Sequence, residues 1–337
     1  MPLPPLDGAA ATVNTVAKVA TVPEAVYAEA YRDHERFLWA LCYRLTGCAA
    51  DADDLVQETF VRAMEMPPAR TNEPWRPWLV RVAMNLGRDL LRRRKRRAYV
   101  GPWLPSPIET GDAESPPAYE PVVEGTSMEG RYDLLESVSF AFLLALEALT
   151  PQQRAVLLLR DVFDYSVRET SDALGITEPN VKTTHHRARA AMRDYDRDRS
   201  IPTRLLQERT RAALGEFMAS MASGDMQAME SLLADSVRAV NDGAGEVHAA
   251  RKVIVGPQRV ARFHYNIGYR RMARGRFQVR MINGLPAIVG EFADGRPAEP
   301  SRVVMRCEVD EHGRITRLLS VVASRKLTAV DFTFDDN

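Results

Sequence analysis

Ser166-Val-Arg-Glu-Thr-Ser-Asp-Ala-Leu-Gly-Ile-Thr-Glu-Pro-Asn-Val-Lys-Thr-Thr-His-His-Arg-Ala-Arg-Ala-Ala-Met192 is the stretch whose reading decides the fold. A first helix ends at Leu174, and Gly175 supplies a tight turn. Ile176 is an apolar plug between two helices. Thr177 is a good N-cap, and Pro179 sits in the first turn of the second helix, where its missing N–H does no harm. That second helix places Val181, Ala188 and Met192 on one face and a polar, basic set on the other. This is the layout of a helix that enters the major groove of DNA. Lys182, Thr183 and His186, with Asn180 at the N-terminal end, are placed to reach base edges, and Arg187 and Arg189 to hold phosphates. The competing reading is a solvated basic helix in a bundle. It would win on charge alone, and the glycine turn, plug and cap together outweigh it.

Upstream, the pattern stays helical. Phe37, Leu38, Leu41, Cys42 and Leu45 form an apolar stripe that Gly47 ends. Asp51 or Asp53 can cap a second helix with the stripe Leu55, Val56, Thr59, Phe60 and Ala63, which Pro67 and Pro68 stop. A third helix starts near Pro74–Pro77 and runs through Leu79, Val82, Leu86 and Leu90 into a basic run. Arg81, Asn85, Arg88 and Arg92 recur at i, i+4, i+7 and i+11, one stripe of cations with an amide that suits a nucleic-acid strand. Trp78 reads as core, and Trp75 as either core or a base-stacking platform.

The chain has 337 residues, 45% hydrophobic and 27% charged, with formal net charge zero. That length suggests two or three domains. The zero hides a polarity: seven basic residues and one acidic residue lie between Arg88 and Arg97, whereas Arg131 is the only basic residue from Gly101 to Ser137. Cys42, Cys48 and Cys307 form no CxxC pair, so neither a zinc site nor a disulfide framework is expected, and a reducing, cytoplasmic setting fits. No apolar run reaches the ~20 residues needed to span a bilayer. Residues 1–24 read as a mobile tail, 25–100 and 133–200 as helical domains, 101–132 as an acidic, proline-rich linker, and 203–337 as an α+β domain. The last rests on helices at 204–223 and 226–233, strand-like runs at 277–282 and 302–309, and turn signals at Asn283-Gly284, Asp294-Gly295 and His312-Gly313. Trp103 and Leu104 in the linker are costly to leave in water, so they should dock.

These segments together resemble a family. Asp51-Ala-Asp-Asp-Leu-Val-Gln-Glu-Thr-Phe-Val-Arg-Ala63 looks like the polymerase-binding helix of extracytoplasmic-function sigma factors. Trp78-Leu-Val-Arg-Val-Ala-Met-Asn-Leu-Gly-Arg-Asp-Leu-Leu-Arg-Arg-Arg94 looks like their −10-element helix. Leu149-Thr-Pro-Gln-Gln-Arg-Ala-Val-Leu-Leu-Leu-Arg-Asp161 with the helix-turn-helix looks like their −35-binding domain. The resemblance implies an alternative sigma factor, not an enzyme, whose partners are promoter DNA and core RNA polymerase. Asp53, Asp54, Gln57 and Glu58 would meet the β′ clamp coiled coil, with further contacts to the β subunit. Asn85 and the loop 66–72, including Asn72, would receive an extruded −10 base, at a cost of a few kcal/mol.

The C-terminal part is similar to SnoaL-like cone domains through Leu232-Leu-Ala-Asp-Ser-Val, Asn241-Asp-Gly-Ala-Gly-Glu, Val255-Gly-Pro-Gln-Arg-Val-Ala-Arg-Phe and Ile282-Asn-Gly-Leu-Pro-Ala. Sigma factors with this extension carry a Trp-Leu-Pro linker. This makes Trp103, Leu104 and Pro105, with Asp242, Gly243, Gly245, Asn283, Gly284 and Pro286, the expected regulatory contacts. The subgroup's acidic fifth linker residue is Ser106 here, and its Asp-Gly-Gly-Gly-Lys ends in Glu246, a pair that reads as one compensated change. The domain is expected to modulate the sigma domains, with a small-molecule ligand possible. No cofactor or metal is expected. The alternative is a one-component DNA-binding regulator whose C-terminal domain binds a ligand or acts as a cyclase-like enzyme. Asp242, His248, His264 and Asn283 are the available acid–base groups, and His264 reads as structural.

Overall fold

The structure, a computed structural model, describes residues 23–67, 74–96, 99–111, 132–293 and 298–334. The N-terminal tail, Asn72, the Asp294-Gly295 turn and most of the acidic linker lie outside the described residues.

The first helices are α1 (Glu24–Thr46), α2 (Ala49–Glu65) and α3 (Trp75–Arg96). The α1 stripe is buried, and Gly47 closes the helix in the left-handed region at φ 66°, its N–H donating to the Tyr43 carbonyl. Helix α2 opens three to five residues earlier than caps at Asp51 or Asp53 suggest. Cys48 is the N-cap and makes no side-chain bond, while Asp51 lies in the first turn, where it meets the positive end of the helix dipole. Trp75 belongs to the core, edge-on to Tyr27 at 5.5 Å.

After the linker come α4 (Leu134–Ser137), α5 (Phe140–Ala145), α6 (Pro151–Asp161), α7 (Val167–Leu174), α8 (Glu178–Ala191) and α9 (Arg193–Arg197). Capping boxes at Thr150/Gln153 and Ser166/Glu169 start α6 and α7. The two helical regions share one hydrophobic core. The Phe37 and Phe163 rings meet edge-on at 5.4 Å. The buried Arg44 donates to Ser137 Oγ at 2.7 Å, and the buried Arg154 to the Leu45 carbonyl at 3.0 Å.

The C-terminal domain has α10 (Arg204–Ser223), α11 (Met226–Ser231) and α12 (Pro257–Met272). Its strands are β1 (Leu233–Asp242), β2 (Ile254–Val255), β3 (Gly275–Ile282), β4 (Leu285–Phe292), β5 (Arg302–Val309) and β6 (Ile315–Val321). They form a sheet in the order β2-β1-β6-β5-β4-β3, in which only β1 and β6 run parallel. One face packs on the helices through Leu214, Phe217, Val260, Met305, Cys307 and Leu318. The other carries Val289, Val304, Leu319 and Val321 against Leu104 of the linker and Phe140 of α5. A sheet covered on both faces has no polar side to alternate with. Arg306 is one exception: it is buried, and its guanidinium lies 4.4 Å from the Phe140 ring centroid.

His264 on α12 is structural. Its Nδ1 is 2.9 Å from the Val260 carbonyl, which assigns the proton to Nδ1, and burial pushes its pKa down from 6.5 to about 4. Between these values the unfolded chain binds a proton that the folded chain does not, so stability falls as pH drops from about 6.5 to 4. The full shift corresponds to about 3 kcal/mol. Urea unfolding at pH 7 and pH 4.5 should show this loss, and His264→Phe should reduce it.

Candidate functional site

Four surfaces carry the predicted residues. The first is the helix-turn-helix. Gly175 adopts φ 63°, Thr177 Oγ accepts from the Asn180 N–H, and Pro179 lies in the first turn of α8. Val181, Ala188 and Met192 are buried, whereas Asn180, Lys182, Thr183, His186 and Arg187 are exposed. Arg189 differs from expectation. Its Nε donates to Asp161 Oδ2 at 3.0 Å, and His185 Nε2 reaches the same carboxylate at 2.9 Å. Burial raises the Asp161 pKa, but hydrogen bonds from His185 and Arg189 more than offset it and hold the carboxyl below its ordinary value. Arg189 therefore clamps α8 to α6, because a buried carboxylate needs a charged partner.

The second surface is α3. Arg81, Asn85 and Arg92 are exposed, but Arg88 is buried. Its Nη2 donates to Asn85 Oδ1 and, at 3.1 Å, to the carbonyl of Leu174, the last residue of α7. A Cβ added at Gly175 would lie 3.8 Å from Arg81 Nη2. The stripe read as DNA-facing is thus docked in part on the turn of the helix-turn-helix. The buried carbonyls at the C-terminus of α7 explain this, since they need a donor and attract a cation.

On α2, Asp54, Gln57 and Glu58 are exposed, Glu58 with Arg62 at 2.9 Å. Asp53 is half-buried and accepts from Trp39 Nε1 at 2.6 Å, so it braces α1 instead of standing free.

The fourth surface, after the α2 face, is a latch between linker and C-terminal domain. Residues 104–108 are buried, so the start of the linker is a packed element, contrary to the reading from its composition. Apolar burial of Leu104 and Ile108, with backbone bonds to both sides, outweighs its proline content. Trp103 covers Gly47, where a Cβ would come within 2.7 Å of the indole. Arg94 and Lys326 lie 4.5 and 4.7 Å from the Trp103 ring. Asp242, fully buried, accepts from the Leu104 N–H at 2.8 Å, Tyr99 OH at 2.6 Å and Lys326 Nζ at 2.6 Å. Lys326 also donates to the Leu104 carbonyl. Burial lowers the Lys326 pKa and Asp242 opposes that; burial, with Asp242, raises that of Tyr99. Gly245 is left-handed at φ 77° and would meet Val100 with a Cβ at 3.1 Å, and one at Gly243 would meet the Ala249 Cβ at 2.8 Å. Pro105 and Pro286 are buried.

At the other end of the segment, Asn283 joins three parts of the chain. Its Oδ1 accepts from the Ile108 N–H at 3.0 Å, and its Nδ2 donates to Tyr43 OH at 2.8 Å and to the Val138 carbonyl at 2.7 Å. Tyr43 OH in turn donates to the Ser106 carbonyl at 2.6 Å. The Gly284 N–H donates to Thr110 Oγ1 at 2.8 Å. Sequence reading missed Tyr43, Tyr99, Val138 and Lys326, because a core-facing tyrosine or a lone lysine carries no local pattern. Ser106 is buried, with its N–H on the Gly47 carbonyl, while Glu246 pairs with Arg325 at 2.8 Å.

A helix-turn-helix, a basic helix and an α+β domain that clasps their linker define a transcription-initiation factor with an appended module. Sigma-70 region 2 matches residues 30–97 and sigma-70 region 4 matches residues 139–192. The chain is 34% identical over 278 residues to the ECF RNA polymerase sigma factor SigJ of Mycobacterium tuberculosis, covering 80% of each. It is 37% identical over 182 residues to SigG of that organism, covering 49% of this chain and 46% of SigG. The crystal structure of M. tuberculosis SigJ aligns with a TM-score of 0.64 at 26% identity, covering 91% of this chain and 100% of that one. The chain belongs to the extracytoplasmic-function (ECF) sigma factors of the sigma-70 family. It is an alternative sigma factor that joins core RNA polymerase and directs it to promoters, with a SnoaL-like C-terminal domain.

Proposed function

We propose that the SnoaL-like domain holds this sigma factor in a closed arrangement, and that initiation requires α3 and the helix-turn-helix to part. The hydrogen bond from Arg88 to the Leu174 carbonyl carries this reading, because it places α3 against the end of α7. Elements named for positions −10 and −35 lie roughly 25 base pairs apart, about 85 Å of duplex at 3.4 Å per pair. Helical domains held in that contact cannot serve both. In the open form Asn85, Arg81, Arg88 and Arg92, with Asn72, engage the −10 strand. Lys182, Thr183, His186, Arg187 and Asn180 read the −35 duplex. Asp54, Gln57 and Glu58 face the β′ clamp coiled coil, with further contacts to the β subunit, and Asp53 positions that face through Trp39. The protein acts in the cytoplasm, where polymerase is.

The test is promoter-specific transcription with purified core polymerase, comparing the full chain with one ending at Ser200. The shortened chain should bind core more tightly and yield more transcript. Equal output from both would overturn the closed-state reading. Lys182→Ala and His186→Ala should each weaken −35 binding by about 1–3 kcal/mol at unchanged melting temperature. Arg189→Ala should lower the melting temperature instead.

The C-terminal domain acts as a regulator rather than an enzyme. His248 and His264 line a cavity of about 690 Å³. The side chains of Asp242 and Asn283 instead bond the linker and the helical domains. The four candidate acid–base groups therefore do not converge on one reacting centre, as catalysis would require.

A further inference from the structure

The sequence from Val247 to Gly290 holds nine basic residues and no acidic one, in a chain of zero net charge. Three of the nine are engaged inside the domain. Arg271 donates to the Pro300 carbonyl at 2.6 Å, Arg276 pairs with Glu291 at 3.1 Å, and Arg280 with Glu109 at 2.9 Å. Arg251, Lys252, Arg259 and Arg262 stand exposed, and none has a hydrogen bond or ion pair among the described residues. Arg238 on β1 is in the same condition. The carboxylates that flank the run are taken: Glu246 by Arg325, and Glu291 by Arg276 and Arg302. Unpaired like charges repel one another, so this surface carries a cost that a polyanion removes.

The five cations lie on one stretch of the fold. Arg238 and Val255 are paired across β1 and β2, which directs their side chains to the same face of the sheet. Arg251 and Lys252 lead into β2. Arg259 and Arg262 are three apart near the start of α12, so they share a side of that helix. The stretch also adjoins the end of α3. A Cβ at Gly101 would lie 3.8 Å from the Arg251 Cα, and one at Gly245 would lie 3.1 Å from Val100. Arg92 and Arg93 are exposed in the last turns of α3. The basic end of α3 thus passes through Val100 and Gly101 to Arg251 and Lys252.

We infer that this surface, Arg238 with Arg251, Lys252, Arg259 and Arg262, binds the phosphate backbone of duplex DNA without regard to sequence. Duplex DNA carries one charge per about 1.7 Å of axis, and basic side chains that meet it release its condensed counterions. Four of the five cations are arginines, whose planar fork matches phosphate. Contiguity with α3 favours DNA over an acidic protein, because α3 belongs to the region that serves the promoter. The surface lies wholly on the C-terminal domain, so it does not depend on the closed-state reading above. Its use does rest on that reading: it keeps the sigma factor on DNA while α3 and the helix-turn-helix are docked on each other.

The experiment follows the anisotropy of a labelled short duplex, without promoter elements, as the full chain is added over a range of salt concentrations. Each phosphate contact contributes about 0.9 to the slope of log K against log salt. Arg251→Ala, Lys252→Ala, Arg259→Ala and Arg262→Ala together should flatten that slope by about 3–4. The melting temperature should not change, because all four side chains are exposed. Arg259→Lys with Arg262→Lys keeps the charges and should keep the slope. A quadruple variant with the parent's slope would overturn the surface. Val253 and Val255 are also exposed there, so poly-glutamate and vesicles of anionic phospholipid are titrated in parallel. Both should bind more weakly than the duplex. Tighter binding of either, lost in the quadruple variant, would overturn DNA as the occupant in favour of an acidic protein or a lipid surface. None of these readouts uses polymerase, so failure of the closed-state reading would show separately, as unchanged transcription on shortening the chain.

Discussion

Asp242→Ala should open the latch and raise promoter-specific transcription from the full chain. The carboxylate has four donors around it: Tyr99 OH, the Ala244 N–H, the Leu104 N–H and Lys326 Nζ. Removing it strands the Lys326 ammonium, 2% exposed, with the Leu104 carbonyl as its remaining hydrogen-bond acceptor. Breaking a buried pair from one side costs about 3–5 kcal/mol. Three kcal/mol shifts an opening equilibrium roughly 100-fold. Core-polymerase affinity should rise, and the segment at residues 99–111 should become sensitive to protease. The lysine gives the effect a pH signature. Burial already holds its pKa below the ordinary 10.5, and without Asp242 it falls further. Above the lowered value the folded chain binds fewer protons than the unfolded one, so stability recovers as pH rises toward 10.5. Asp242→Asn combined with Lys326→Met removes both charges at similar volume and should stay closer to the parent than the single change. A single variant with a fully protected linker would sink the latch.

Much of this was legible in the sequence because it depends on local pattern. The helix-turn-helix has its turn glycine, plug, cap and proline within a few residues, and α7 and α8 fold as that pattern dictates. The runs read as strands became β3 and β5, and the Asn283-Gly284 turn joins β3 to β4. Strand β1 was missed because its alternation is broken at a shift in register between Leu233 and Arg238. Strands β4 and β6 were missed because a sheet buried on both faces yields apolar runs without a period. The same limit applied to function. Arg88, Arg189 and Asp53 read as surface charges because composition and spacing do not reveal what lies opposite. Each meets a group from another helix: the Leu174 carbonyl, Asp161 and Trp39. Proline marked residues 101–132 as linker, yet proline also stiffens an extended segment and lowers the entropy lost when it docks.

Asn283→Ala should undo the opposite end of the same segment. Asn283 is fully buried, with φ 50°, a conformation asparagine tolerates better than alanine. The substitution strands the Ile108 N–H and the Val138 carbonyl, at about 1–3 kcal/mol each, and adds about 1–2 kcal/mol of left-handed strain. A loss of about 3–8 kcal/mol in docking follows, without disturbance of the separate cores. Asn283→Gly divides the two causes, since glycine relieves the strain but not the missing bonds. If strain dominated, the glycine variant would dock like the parent; the three bonds predict that it releases the segment nearly as fully as alanine does. Small-angle scattering should show an expanded chain, and hydrogen exchange at the Ile108 amide should speed up. The double variant with Asp242→Ala then tests whether one segment is held at both ends. Residues 104 and 108 are four apart on a single stretch, so release at either end lowers the cost of release at the other. The two effects on core-polymerase affinity should therefore sum to less than their separate values, and strict additivity would mean that the two contacts hold independent bodies.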